Sequence, residues 1–173
     1  MHNFVAWSNN YSVSVSLIDS QHKKLIKLTN SLYAVCGEKN SDKRHAVFLK
    51  CVQDAVDYTG YHFGTEEIVM KKLGYPFYEK HYREHQDFVA KVVGLMDDLK
   101  TLTYVNPVSF VHFLKFWVLN HIAKTDREMG NYIMQQRQSN ALSHITLKIK
   151  KVRSVVEDPF SRQQTVSYQY KIK

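Results

Sequence analysis

With 173 residues, 24 Lys/Arg against 16 Asp/Glu and 44% apolar residues, the chain has the size and balance of a globular domain and is too apolar for a disordered one. No apolar run approaches the length that spans a bilayer, and the start MHNFVAWSNN lacks the basic head and unbroken apolar stretch of a signal peptide, so a cytoplasmic protein without a membrane segment is expected. The formal charge of +8 is uneven: residues 141–173 hold seven Lys/Arg against two acidic residues, and residues 1–140 hold seventeen against fourteen, so the body carries no strong nucleic-acid signal.

Residues 1–18 read as an irregular arm, with Phe4, Trp7, Tyr11, Val13, Val15 and Leu17 available to pack across a helix end. Asp19 or Ser20 is the expected cap of a first helix running to about Gly37, with His22, Leu25, Ile26, Thr29, Leu32, Tyr33 and Cys36 on its inner face. A second helix is expected from about Ser41 to Leu73, stopped by Gly74-Tyr75-Pro76, with Phe48, Val52, Ala55, Thr59, His62, Glu66 and Val69 on one stripe. The third runs from about Phe77 to Thr101 through His81, His85, Phe88, Val92 and Leu95. Asn106-Pro107 reads as a cap and first-turn proline for a fourth helix reaching about Gln138. Cys36 and Cys51 form no CxxC pair and are expected as buried thiols.

After Asn140 the period changes to two, over residues 144–150 and 165–172, with a turn offered by Glu157-Asp158-Pro159. The expected fold is therefore all-α: an up-down-up-down four-helix bundle over residues 1–140, with a short basic β-hairpin-like extension over residues 141–173. A hairpin alone is marginal in water, so it should rest on the bundle, on a second copy of the chain or on a protein partner.

The chemistry lies on the inner stripes. His22, His62, Glu66, His81, His85, His121 and Asp126 fall on all four expected helices, and His62/Glu66 and His81/His85 are i, i+4 pairs that aim two groups from one face. Imidazoles suit iron, copper, zinc and nickel, carboxylates can bridge two ions, and seven groups exceed what one tetrahedral zinc uses. The set reads as a two-metal site in the bundle core. His121 and Asp126 are five apart, so a bent carboxylate reach or a local π-bulge is needed to bring both inward. Glu67 falls about 100° off the His62 stripe and is expected in solvent. His2, His45, His112 and His144 read as ordinary histidines.

From about Phe4 to Arg137 the chain resembles the bacterial hemerythrin-like domains, the bacteriohemerythrins. The Trp7 arm, the single His22 and the motifs H-F-G-T-E (62–66), H-Y-R-E-H (81–85) and H-I-A-K-T-D (121–126) carry that resemblance. It implies two non-haem iron ions, joined by an oxo or hydroxo group, that bind O2 reversibly. On that resemblance His81, His85 and His121 serve one iron, His22 and His62 the other, and Glu66 and Asp126 bridge them. The open position lies on the His22/His62 side, and Trp117 and Val118 line the O2 pocket, with valine where the family often has leucine. The chain is then a carrier, store or deliverer of O2 rather than an enzyme. The alternatives are an O2 or redox sensor signalling through the extension, and a di-iron enzyme acting on peroxide or nitric oxide.

Overall fold

The structure is a computed structural model that describes residues 4–39, 41–100, 106–139, 149–157 and 164–172. Helix α1 spans Ser16–Cys36, α2 Ser41–Leu73, α3 Tyr78–Lys100, α4 Pro107–His121 and α5 Arg127–Gln138. A five-residue π turn, Ile122–Asp126, joins α4 to α5, and the flanking residues stay in the right-handed helical region, so the three pieces form one rod. Four helical rods result. Among the described residues no helix is long and apolar enough to cross a membrane.

Local chemistry explains most of the boundaries. Asn106 accepts a hydrogen bond from the Val108 amide at 2.9 Å, with Pro107 in the first turn of α4. Gly74 closes α2 at φ +62°, a conformation that favours glycine, and the Tyr75 amide bonds back to the Met70 carbonyl at 2.9 Å. The start of α1 differs from expectation. The helix begins at Ser16 behind Val15, which offers no side-chain cap, and Asp19 lies inside the first turn. There Asp19 accepts from the Val13 amide at 2.8 Å and from Ser12 Oγ at 2.6 Å, so it staples the arm rather than capping the helix. Further out, Asn30 holds both the amide and the carbonyl of Val5 at 2.8 Å.

Two apolar clusters sit at opposite ends of the bundle. One joins Leu32, Phe48, Val52, Phe88, Val92, Phe110 and Leu114. The other joins Val13, Val15, Ile18, Val69, Met70, Tyr75, Met129 and Ile133. Every long rod carries its polar inner residues between these clusters. His22 is early in α1, His62 and Glu66 are late in α2, His81 and His85 are early in α3, and His121 ends α4. Groups at alternating ends can meet only if successive rods run in opposite directions, which gives the up-down-up-down order.

Cys36 and Cys51 are free thiols and half-buried rather than fully buried. Two segments beyond the bundle, β1 (Ile149–Glu157) and β2 (Gln164–Ile172), run antiparallel with Ile149 opposite Ile172 and Glu157 opposite Gln164. The expected strand residues 144–148, and Asp158 and Pro159 of the expected turn, lie outside the described residues.

Candidate metal centre

His22, His62, Glu66, His81, His85, His121 and Asp126 are all buried, at 0–5% exposure. They converge on one point of the bundle. His81 and His85 follow one another along α3, and their rings meet the ring of His121 with Nε2–Nε2 separations of 3.2 Å and 3.1 Å. His22 and His62 pack edge to face, with centroids 4.9 Å apart.

The carboxylates lie between these two sets. Glu66 Oε2 is 3.5 Å from His81 Nε2 and 3.3 Å from His85 Nε2, whereas its Oε1 is 3.7 Å from His22 Nε2 and 3.6 Å from His62 Nε2. Asp126 divides the same way: Oδ1 is 3.2 Å from His81 Nε2 and 3.1 Å from His121 Nε2, and Oδ2 is 3.1 Å from His22 Nε2. Two overlapping donor groups follow, Glu66/His81/His85/His121/Asp126 and His22/His62/Glu66/Asp126, each with its ligand atoms within 4.8 Å of one another.

The π turn makes the Asp126 contribution possible. It widens the helix just where Asp126 follows His121 at the fifth position, so both residues face inward.

Three of the five imidazoles are held from behind by residues on neighbouring rods. His62 Nδ1 is 3.1 Å from Gln21 Oε1 on α1, His85 Nδ1 is 3.1 Å from Glu67 Oε1 on α2, and His121 Nδ1 is 3.1 Å from Glu84 Oε2 on α3. Each histidine is thus oriented by the rod that precedes its own. Glu84 also accepts from Thr125 Oγ1 at 2.7 Å, and Gln21 Nε2 donates to Thr65 Oγ1 at 3.1 Å. With Nδ1 engaged, Nε2 is left to face the centre. Glu67 is therefore a correction: it bonds to His85 at 21% exposure instead of standing in solvent. None of these three was expected from sequence. The available signal was adjacency, since Gln21, Glu67 and Glu84 each neighbour a stripe residue in the chain.

Electrostatics of the bare cluster point the same way. Burial pulls His22 and His81 down, but the adjacent Asp126 and Glu66 carboxylates outweigh it and raise both to about 9. His121 is raised to about 10, again with Asp126 opposing the effect of burial. Burial lowers His62 to about 4. Glu66 and Asp126 stay well below the usual carboxylate range, because the surrounding imidazoles overcome their desolvation.

A metal fits this donor set. His22 Nε2 and all four oxygens of Glu66 and Asp126 are buried without a hydrogen bond, a costly state for polar atoms in a core. Nitrogens just over 3 Å apart match adjacent ligands of one ion with bonds of about 2.1 Å. Buried carboxylates among imidazoles suit a transition metal better than calcium or magnesium.

Trp117 packs against the cluster that holds Val118, but the two residues also face different spaces. Val118 packs with Leu25 and Ile122 and lines a small apolar cavity of about 20 Å³ between the rods. Trp117 stacks on His121 at 4.4 Å and on Phe88 at 4.0 Å, and faces a surface recess shared with Lys80, Glu84 and Lys124. His112 is exposed against Phe4, His45 is exposed, and His2 and His144 lie outside the described residues.

Residues 13–133 match the hemerythrin HHE cation-binding domain. The chain is 27% identical over 150 residues to a bacteriohemerythrin of Stenotrophomonas maltophilia, covering 81% of this chain and 88% of that one. It is 31% identical over 120 residues to a myohemerythrin of Riftia pachyptila, covering 69% and 86%. A crystal structure of wild-type hemerythrin superposes with a TM-score of 0.69 at 25% identity, covering 75% of this chain and 98% of that one. A buried His/Glu/Asp cluster able to hold metal, on four helical rods matched over residues 13–133, places this chain in the hemerythrin family.

Proposed function

We propose that residues 1–140 form a non-haem di-iron domain that binds O2 reversibly, for its carriage, storage or delivery. The division of the carboxylates supports this reading most directly. Glu66 and Asp126 each turn one oxygen toward the His81/His85/His121 half and the other toward the His22 half, as residues bridging two ions must. On this reading His81, His85 and His121 hold one iron, His22 and His62 hold the other, and the side with fewer imidazoles takes O2. The iron pair supplies the redox chemistry by which O2 is taken up and released. The chain orients the imidazoles and keeps water away, with Leu25, Val118 and Ile122 packed as an apolar cluster between the rods.

Five imidazoles against two carboxylates make a donor set poorer in anions than that of the di-iron carboxylate enzymes. Such a set favours holding O2 over forming strongly oxidising iron. Residues 141–173 are read as a β-hairpin extension that provides none of these donors and serves as a contact for a second copy or a protein partner. The chain is read as cytoplasmic.

Iron analysis of the full chain combined with visible spectra, taken anaerobically, after O2 and after its removal, tests the proposal. Two irons per chain and a spectrum that appears with O2 and disappears on its removal are expected. Fewer irons, or a change that O2 removal does not reverse, would refute it.

A further inference from the structure

The residues behind the histidines differ in charge between the two halves of the cluster. Carboxylates stand behind two of the three imidazoles in the His81/His85/His121 half, Glu67 behind His85 and Glu84 behind His121. In the other half a neutral amide, Gln21, stands behind His62. The hydrogen-bond chain fixes the orientation of that amide. Thr65 Oγ1 donates to the Tyr61 carbonyl at 2.9 Å, so it is free to accept from Gln21 Nε2, and Oε1 must face His62. One imidazole in each half, His22 and His81, has no hydrogen-bond partner at Nδ1 among the described residues, so the difference rests on the other three.

A carboxylate behind an imidazole raises its basicity and its strength as a ligand; an amide does so far less. The inner carboxylates are shared between the halves, and the third imidazole already favours the His81/His85/His121 half; the outer residues add a second difference in the same direction. We propose that Glu67 and Glu84, set against Gln21, are positioning residues that widen the inequality of the two metal positions, so that the His81/His85/His121 half binds its ion first and more tightly. This rests on the two-ion reading above and adds the residues that widen the gap between the two positions.

Anaerobic titration of the metal-free full chain with Co2+ tests it without O2 chemistry, using visible absorption and a competing chelator to resolve stepwise affinities. Two unequal steps are expected. Glu84→Gln and Glu67→Gln should each weaken the tighter step by about 10- to 100-fold and leave the weaker step in place. Gln21→Glu should act in reverse, strengthening the weaker step and narrowing the gap. A merely structural role would lower both steps together, and that result would overturn the inference. So would two ions whose steps ignore all three substitutions, while leaving the two-ion reading intact. A chain that takes up no second ion would sink both.

Discussion

His121 Nε2 and Asp126 Oδ1 lie 3.1 Å apart although they stand five positions apart in one helical rod. In a regular α-helix residues five apart point about 140° away from each other, so one of the two would leave the core. The π turn over Ile122–Asp126 removes that conflict by adding one residue to the turn. Asp126 can then present one oxygen to each half of the cluster, which an amide could do for only one half. Asp126→Asn should therefore reduce metal loading from two ions to one per chain, measured by metal analysis after desalting. Retention of two ions at unchanged affinity would show that Asp126 does not bridge.

Much of this site was legible in the sequence because it follows helical period. His62/Glu66 and His81/His85 announce themselves as i, i+4 pairs, and stripes such as Phe48, Val52 and His62 identify the inward faces. The supporting residues were not legible by that route. Gln21, Glu67 and Glu84 each act on a histidine of another rod, and periodicity within one helix says nothing about reach between helices. Asp19 misled for a related reason. Its type fits a cap, but the arm folds back and offers the Val13 amide and Ser12 hydroxyl as closer partners.

The metal-free form should lose stability as pH rises, whereas the metal-loaded form, whose ligand imidazoles carry no such protons, should stay nearly level. His22, His81 and His121 are raised from 6.5 to about 9, 9 and 10 in the folded chain. A raised basic group contributes stability below its unfolded value and loses it as pH climbs toward the folded value. The metal-free protein should therefore melt at progressively lower temperature between pH 6.5 and about 9. Metal binding must displace those protons, so its affinity should rise over the same window. Thermal denaturation of both forms across that range would show the gap between them widening. A metal-free melting temperature that stays level or climbs would contradict the protonation assigned to the cluster.

Gly130 lies where α5 passes close to the backbone of the N-terminal arm. A Cβ placed there would stand 2.5 Å from the Val13 carbonyl oxygen and 2.8 Å from Val13 Cβ. The obstacle is backbone, already tied by the Val13 amide to Asp19, so it cannot swing aside as a side chain would. Gly130→Ala should cost about 1–3 kcal/mol, like other overpacked core positions. For a chain of this size each kcal/mol lowers the melting temperature by about 2–4 °C, a shift that calorimetry would detect. An unchanged melting temperature would mean that the arm does not pack on α5 in this way.

Phe63 and Phe48 belong to the same apolar cluster but stand in different relations to the metal centre. Phe63 stacks on His85 with centroids 3.7 Å apart and planes within 5°, whereas Phe48 meets Phe110 edge to face at 6.0 Å. Truncation to alanine should cost each variant about 3–5 kcal/mol of stability. Their effects on metal should diverge. Without Phe63 the His85 ring loses the surface stacked on its face, leaving Glu67 at Nδ1 and the edge contact with His81 to orient it. Phe63→Ala should weaken metal binding, whereas Phe48→Ala should leave it unchanged at temperatures where both variants remain folded. Parallel chelator-competition and melting measurements separate the two effects. Equal losses of affinity would mean that global stability governs the site, and equal retention would mean that the remaining contacts of His85, with Glu67 and His81 among them, suffice to hold it.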